Sequence, residues 1–282
     1  MRFRHRRTAA AAALAAAAVI GLPACSAVLG EEETLLDADT LTVGVKTDQP
    51  RLGLEDGDGD ITGFDVDVAF YIAAKLGFAA EDVEVVGVTS ADREERLISG
   101  EVDMVVATYS ITPARKTQVT FGGPYYVAKQ DVLVRAEDTD IRGVRDLEGR
   151  KVCQGEGSYS SVRISEGLGI GIERRDAPSY SACIDALREG AVDAVSTDNL
   201  ILAGFLAEEP DAFRLVNNPF TDEKYGVGLP HGDVRACEAV NRAISQMYQD
   251  DTAEEMLETW FGRDNPQLVV TSVPQFEGCD PT

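Results

Sequence analysis

Two segments of this chain echo one another. Residues 97–108 read LISGEVDMVVAT, and residues 187–198 read LREGAVDAVSTD. Each carries a Leu, a Gly three positions on, then Val-Asp and an apolar run. That is a helix stopped by glycine, a turn, and a buried strand. Around the first copy, β-rich runs alternate with helical ones: TLTVGV (40–45), DVDVAFYIAAKLG (65–77), VEVVGV (83–88), SADREERLISG (90–100) and VDMVVAT (102–108). Around the second the order returns, with RKVCQ (150–154), SYSSVRISEG (158–167), SACIDALREG (181–190), VDAVST (192–197) and DNLILAGFLAEE (198–209). A β-α-β-α-β order implies an α/β fold with parallel sheet. Its recurrence implies two similar lobes facing across a cleft. The echo puts Thr108 and Asp198 at matching C-terminal strand ends, where α/β sheets bind ligands. The amphipathic segments 233–250 and 252–262 are expected to return to the first lobe.

The chain has 282 residues and a formal net charge of −23. Nucleic acid is not an expected partner, because phosphate binding needs clustered cations. The N-terminus reads as an export signal: cationic MRFRHRR, then the uncharged apolar run TAAAAALAAAAVIGL. LPAC, Leu22 to Cys25, resembles a bacterial lipobox, whose Cys is lipidated and becomes the first mature residue. An ordinary signal peptide with an incidental Cys is the alternative, since Pro23 departs from the usual residue. Losing residues 1–24 removes four Arg and no acid, which takes the charge to −27. After Leu36 no apolar run approaches the ~20 residues of a membrane span.

Cysteine usage suits an exported chain. Besides Cys25 there are four, which suggests two disulfides with three possible pairings. Cys153 ends a strand-like run and Cys183 opens a helix-like one, so these are paired, leaving Cys237 with Cys279 to pin the C-terminal tail. Zinc is the competing reading, but there is no CxxC, and the only His outside the export signal is His231.

EDGDGDITGFDVD (55–67) tests another possibility. A calcium loop counted from Asp56 needs Gly at its sixth position, where Ile61 stands, and Glu at its twelfth, where Asp67 stands. The stretch reads instead as a hairpin tip entering a helix, with Asp65 and Asp67 in the first turn, where the helix dipole favours acids.

The segments GFDVDVAFYIAAKLG (63–77) and EVDMVVATYSITPARKTQVTFGGPYY (101–126) resemble the family 3 extracellular solute-binding proteins of ABC importers. DQPRLGL, SADRE, YSACIDAL, DNLIL and PFTDEKYGVGL are similar to the actinobacterial glutamate-binding lipoproteins among them. The resemblance implies a type II periplasmic-binding-protein fold: two α/β lobes, two crossing hinge strands, and an amino acid held between. The expected organisation is signal peptide 1–24, tether 25–38, first lobe 39–128 with 224–264, second lobe 129–223, and tail 265–282.

An α-amino acid presents a carboxylate and an ammonium. In TYSITPAR, Thr108, Ser110, Thr112 and Arg115 supply hydroxyls and a guanidinium for the carboxylate, and the family pattern assigns that carboxylate to Arg115. Gly157, Ser158 and Tyr159 precede a helix in the second lobe, where N–H groups suit an anion; Tyr159 departs from the family's hydroxyl pair. Asp198 matches the family's ammonium-binding Asp and could also serve as a helix N-cap. A second ligand carboxylate needs a further cation, and Arg93 and Lys46 are the candidates. Arg93 could instead pair with Glu94 or Glu95.

This reading requires no cofactor and no metal. The expected partners are an amino acid, with glutamate favoured, the ABC permease subunits, and the membrane through the lipid; a monomer is expected. Glutamine, aspartate and asparagine remain open as ligands. An enzyme resembling the cyclohexadienyl dehydratases is the rival, against which stands the lack of His in any cleft motif. A sensor's detached ligand-binding partner is a third reading.

Overall fold

The computed structural model describes residues 34–262 and 266–279. Cys25 and the export signal lie outside the described residues. In chain order the strands and helices are β1 (Leu41–Val45), β2 (Asp48–Gln49), β3 (Gly53–Glu55), β4 (Ile61–Thr62), α1 (Phe64–Leu76), β5 (Val83–Gly87), α2 (Arg93–Ile98), β6 (Met104–Val105), α3 (Pro113–Lys116), β7 (Thr120–Ala128), β8 (Gln130–Arg135), β9 (Lys151–Gly155), α4 (Ser160–Val162), β10 (Glu173–Ala177), α5 (Tyr180–Arg188), β11 (Ala194–Asp198), α6 (Asn199–Glu208), β12 (Phe213–Leu215), β13 (Glu223–Leu229), α7 (Val234–Gln249) and α8 (Thr252–Phe261).

Two five-stranded sheets organise these elements. The first has the order β5-β1-β6-β13-β7, the second β10-β9-β11-β8-β12. They correspond strand for strand: β1 is flanked by parallel β5 and β6, and β9 by parallel β10 and β11. Each then adds an antiparallel strand, β13 beside β6 and β8 beside β11. The echoed segments supply the equivalent strands β6 and β11. The chain crosses between sheets at Lys129, where β7 gives way to β8, and crosses back before β13. A small antiparallel sheet, β2-β3-β4, sits beside the first lobe.

Local chemistry explains the boundaries. Helix α1 opens with Asp65 and Asp67 in its first turn and closes at Gly77, which adopts the left-handed conformation and donates its N–H to Ala73 and Ala74 carbonyls. Residues 55–61 form the β3–β4 hairpin tip, pinned by Asp56 Oδ1, which accepts from the N–H groups of Asp58 (2.9 Å) and Asp60 (3.0 Å). The C-terminal helices return to the first lobe, with α7 packing on β7 and α1.

Two disulfides tie the fold. Cys153 on β9 joins Cys183 on α5, and Cys237 on α7 joins Cys279. One expectation needs correction. Residues 34–38 are not the end of a free tether: Leu35–Asp37 form a 3-10 turn, Leu35 is buried, and its N–H donates to Asp233 Oδ2 at 2.9 Å. An apolar side chain within reach of a core gains by packing there.

Candidate ligand-binding site

The strand ends of the two sheets face each other, and the charged side chains gather between them. In the first lobe the chain leaves β6 and turns at Thr108, whose φ of +46° is unusual for a β-branched residue. Asp65, fully buried, holds that turn. Its Oδ2 accepts from Thr108 N–H and its Oδ1 from Tyr125 Oη–H, both at 2.8 Å. Burial pushes the Asp65 carboxyl up to about 7. Thr108 Oγ1 donates to Gln49 Oε1 at 3.1 Å.

Four residues further, Thr112 N-caps α3, accepting from Arg115 N–H at 3.2 Å. The short helix turns Arg115 back into the cleft, where it is 4% exposed. Arg115 Nε meets Glu94 Oε1 at 3.0 Å, Nη1 donates to Ser110 O at 2.8 Å, and Nη2 donates across the cleft to Gly157 O at 3.0 Å. Arg93 opens α2 and is 2% exposed. Its Nη1 donates to Ala107 O at 2.8 Å, and its guanidinium lies 3.9 Å from the Tyr109 ring centre. Its Nε has no hydrogen-bond partner among the described residues, with Glu94 Oε2 4.0 Å away. Burial, and then the Arg115 charge, lower the Arg93 guanidinium to about 10.

Lys46, buried at the end of β1, donates to Ser90 Oγ at 2.9 Å. It lines an adjoining pocket of about 110 Å³ that meets the cleft at Ser90 and Tyr180. Burial, and then Arg93, bring its ammonium down to about 7.

The second lobe contributes Ser158, whose hydroxyl bonds Tyr180 Oη at 2.7 Å and Ser160 Oγ at 3.0 Å. Tyr159 is 37% exposed, with its ring 5.2 Å from the Arg115 guanidinium carbon. Asp198 occupies the N-cap position of α6, yet its side chain makes no capping bond. Oδ2 instead accepts from Tyr225 Oη–H at 2.8 Å. Burial, and then neighbouring Glu223, raise the Asp198 carboxyl to about 7. The cleft around Arg93, Arg115 and Asp198 offers about 20 Å³ beside the 110 Å³ pocket of Lys46, and Arg115 to Gly157 and Asp48 to Tyr180 bond across it. The lobes are closed, and must part to admit an amino acid.

The structure therefore brings together Arg93, Thr108, Ser110, Arg115, Ser158, Tyr159 and Asp198 around one cleft. It sets three expected residues apart from it. Lys46 stands in the adjoining pocket, Thr112 caps α3 outside the cleft lining, and Gly157 presents its carbonyl to Arg115. Sequence reasoning missed Gln130, Arg163, Tyr180 and Glu223. Arg163 meets buried Glu223 at 2.8 Å, and Gln130 Nε2 donates to Ser160 O and Ser196 Oγ, both at 2.9 Å. Gln130 had a readable signal, since it begins the strand after a crossing, and Tyr180 and Glu223 lie within the quoted segments YSACIDAL and PFTDEKYGVGL.

Two α/β lobes, two chain crossings and a buried cleft lined by both guanidinium groups and carboxylates define a two-lobed binding protein for small zwitterions. The chain belongs to the bacterial extracellular solute-binding proteins, family 3, whose profile matches residues 41–263. It is 38% identical over 280 residues to the glutamate-binding protein GluB of Corynebacterium efficiens, covering 95% of each chain. It is 35% identical over 230 residues to the glutamine-binding protein GlnH of a Bacillus subtilis ABC transporter, covering 81% of this chain and 83% of that one. Among solved structures it is similar to an ancestral arginine-binding protein bound to arginine, with a TM-score of 0.73 and 33% identity, covering 80% of this chain and 99% of the other. Among the described residues no helix is long and apolar enough to cross a membrane.

Proposed function

We propose that this protein is the extracellular substrate-binding lipoprotein of an ABC amino-acid importer, and that its ligand is glutamate. The observation that carries the choice is Arg93: a cation 2% exposed, beside Arg115, whose Nε has no hydrogen-bond partner among the described residues. A buried, unsatisfied cation is costly unless a ligand anion meets it. In this reading Arg115 and the Ser110 and Ser158 hydroxyls take the α-carboxylate, and Asp198 takes the ammonium. Arg93 takes the side-chain carboxylate, with Lys46 behind it. The glutamate-binding name of GluB supports the same ligand.

A second reading is a neutral amide ligand, glutamine above all. It is favoured by the Lys46 ammonium, which is only partly charged near neutral pH, and by the glutamine-binding name of GlnH. In this reading the protein acts as a carrier, as the binding-protein names of GluB and GlnH support. Residues 1–24 serve as signal peptide, residues from Cys25 to the turn at Leu35 as tether, and Cys25 carries the lipid on the outer face of the cell membrane. The protein delivers its ligand as a monomer.

Calorimetric titration with glutamate and glutamine decides between the ligands. Arg115→Ala is expected to weaken both, since both carry the α-carboxylate; truncating such a desolvated charged contact costs on the order of 2–5 kcal/mol. Arg93→Ala is expected to weaken glutamate strongly and glutamine less, an amide losing only an ordinary hydrogen bond of about 1 kcal/mol. Equal losses would show that Arg93 does not read side-chain charge. Cys25→Ala is expected to release the protein into the medium, and its retention on cells would end the anchor proposal.

A further inference from the structure

The two guanidinium groups of the first-lobe wall, Arg93 and Arg115, share a carboxylate that the sequence offered only as a possible partner of Arg93. Glu94 follows Arg93 in the first turn of α2, with a side chain 17% exposed. Its Oε1 lies 3.0 Å from Arg115 Nε and its Oε2 4.0 Å from Arg93 Nε. Both guanidinium groups stand over the same Tyr109 ring, 3.9 Å and 5.1 Å from its centre. Two buried like charges on one ring repel, and a carboxylate between them offsets part of that repulsion.

The donor accounting for Arg115 shows a second consequence. A guanidinium has five N–H groups. In Arg115 the Nε–H faces Glu94, one Nη1–H goes to Ser110 O, and one Nη2–H goes to Gly157 O. One N–H remains on each terminal nitrogen for a ligand carboxylate. Glu94 thus holds the side-on face of the guanidinium and turns its terminal nitrogens to the cleft. Arg93 is different: its Nε–H is unsatisfied, and Glu94 is near enough to compete for it without making the bond.

We propose that Glu94 is a positioning residue that orients Arg115 and, by its negative charge beside Arg93, sets how strongly the cleft prefers a dicarboxylic amino acid over a monocarboxylic one. This rests on the reading that Arg115 holds the α-carboxylate and Arg93 the second one. A ligand with one carboxylate draws on Arg115, whose orientation Glu94 supports. A ligand with two must also satisfy Arg93 within a few ångströms of the Glu94 charge. Glu94 thus repels both carboxylates but offsets this for the first by orienting Arg115, whereas it makes no bond to Arg93 that would favour the second.

The test is calorimetric titration of wild type, Glu94→Gln, Glu94→Ala and Glu94→Asp with glutamate and glutamine at one pH and salt concentration. Glu94→Gln keeps the volume and an acceptor oxygen while removing the charge. It is expected to raise the ratio of glutamate to glutamine affinity roughly three- to tenfold, the effect of deleting one charge at this range in a partly screened site. Glu94→Ala is expected to move the ratio the same way while lowering both absolute affinities, because Arg115 loses its anchor. Glu94→Asp, which restores the charge, is expected to bring the ratio back toward wild type. A ratio unchanged or lowered in Glu94→Gln overturns the proposal. The wild-type titration reports separately on the ligand: a wild type that prefers glutamine removes the glutamate reading, while the direction of the Glu94→Gln shift still decides the role of Glu94.

Discussion

Asp198 shows how a buried carboxyl makes stability depend on pH. Its carboxyl is buried beside Glu223 and holds a proton up to about pH 7, whereas the same group in the unfolded chain releases it near 3.8. Between those values the folded protein binds more protons than the unfolded one, so the Asp198 contribution falls as pH rises from about 4 to about 7. Asp65 acts with the same sign over the same window. Lys46 has the opposite sense. Its folded-state value is about 7 against 10.5, so the folded form loses its proton first, and stability from this group recovers as pH climbs above 7. Thermal melts of the ligand-free protein are therefore expected to show a dip near neutral pH. In Asp198→Asn the amide keeps an acceptor for Tyr225 but no charge. The acid side of the dip is expected to flatten, and every α-amino acid to bind at least tenfold more weakly for want of an ammonium partner. A melting profile identical to wild type would show that Asp198 is ionised throughout.

At the scale of elements, the position of α6 against the first lobe is set by an absence of side chain. Gly204 sits inside that helix, where glycine costs about 1 kcal/mol relative to alanine. A Cβ there would lie 2.2 Å from the Pro50 carbonyl oxygen, which is backbone of the loop after β2. Gly157 makes the same kind of approach, its would-be Cβ 2.3 Å from Ser90 O. Asp48 on β2 completes the seam by accepting at Oδ2 from Tyr180 N–H at 3.0 Å, at the first turn of α5. Gly204→Ala should thus act as a wedge between lobes while leaving the cleft's polar groups intact. Glutamate and glutamine are expected to lose affinity by the same factor, and small-angle scattering should report a more extended ligand-bound form. A variant that binds as wild type would mean that the Pro50 loop yields at little cost.

For the whole molecule, the two disulfides act on different parts. Cys153–Cys183 closes a separation of 30 residues within the second lobe, and Cys237–Cys279 one of 42 residues that fastens the tail to α7. Loops of these lengths are each worth about 4 kcal/mol in the chain-entropy account. The tail also carries Glu277, which pairs with Lys224 at 2.6 Å and Lys116 at 3.7 Å. Paired Cys237→Ser and Cys279→Ser substitutions are expected to lower the denaturant midpoint and leave ligand preference alone, since neither residue lines the cleft. Chemical denaturation beside calorimetry checks both halves. A changed ligand preference would mean that the tail reaches the site.

What could be read before folding was what short-range chemistry encodes. The alternation of β-rich and amphipathic runs, the glycine stops and the 97–108/187–198 echo made the two matched sheets legible. The even cysteine count pointed to two bridges, and the Thr108 to Arg115 segment carried one wall of the cleft in a single stretch. The sequence could not reveal which polar groups each wall would spend on itself. Thr112 caps α3, Asp65 braces the Thr108 turn, and Glu94 accompanies Arg115. Nor could it reveal what meets across the closed seam, where Arg115 reaches Gly157 and Asp48 reaches Tyr180. Local propensity is a property of neighbouring residues. The charge a ligand meets depends on burial and on partners brought together from 42 to 132 positions apart, and only the closing of one lobe upon the other sets those terms.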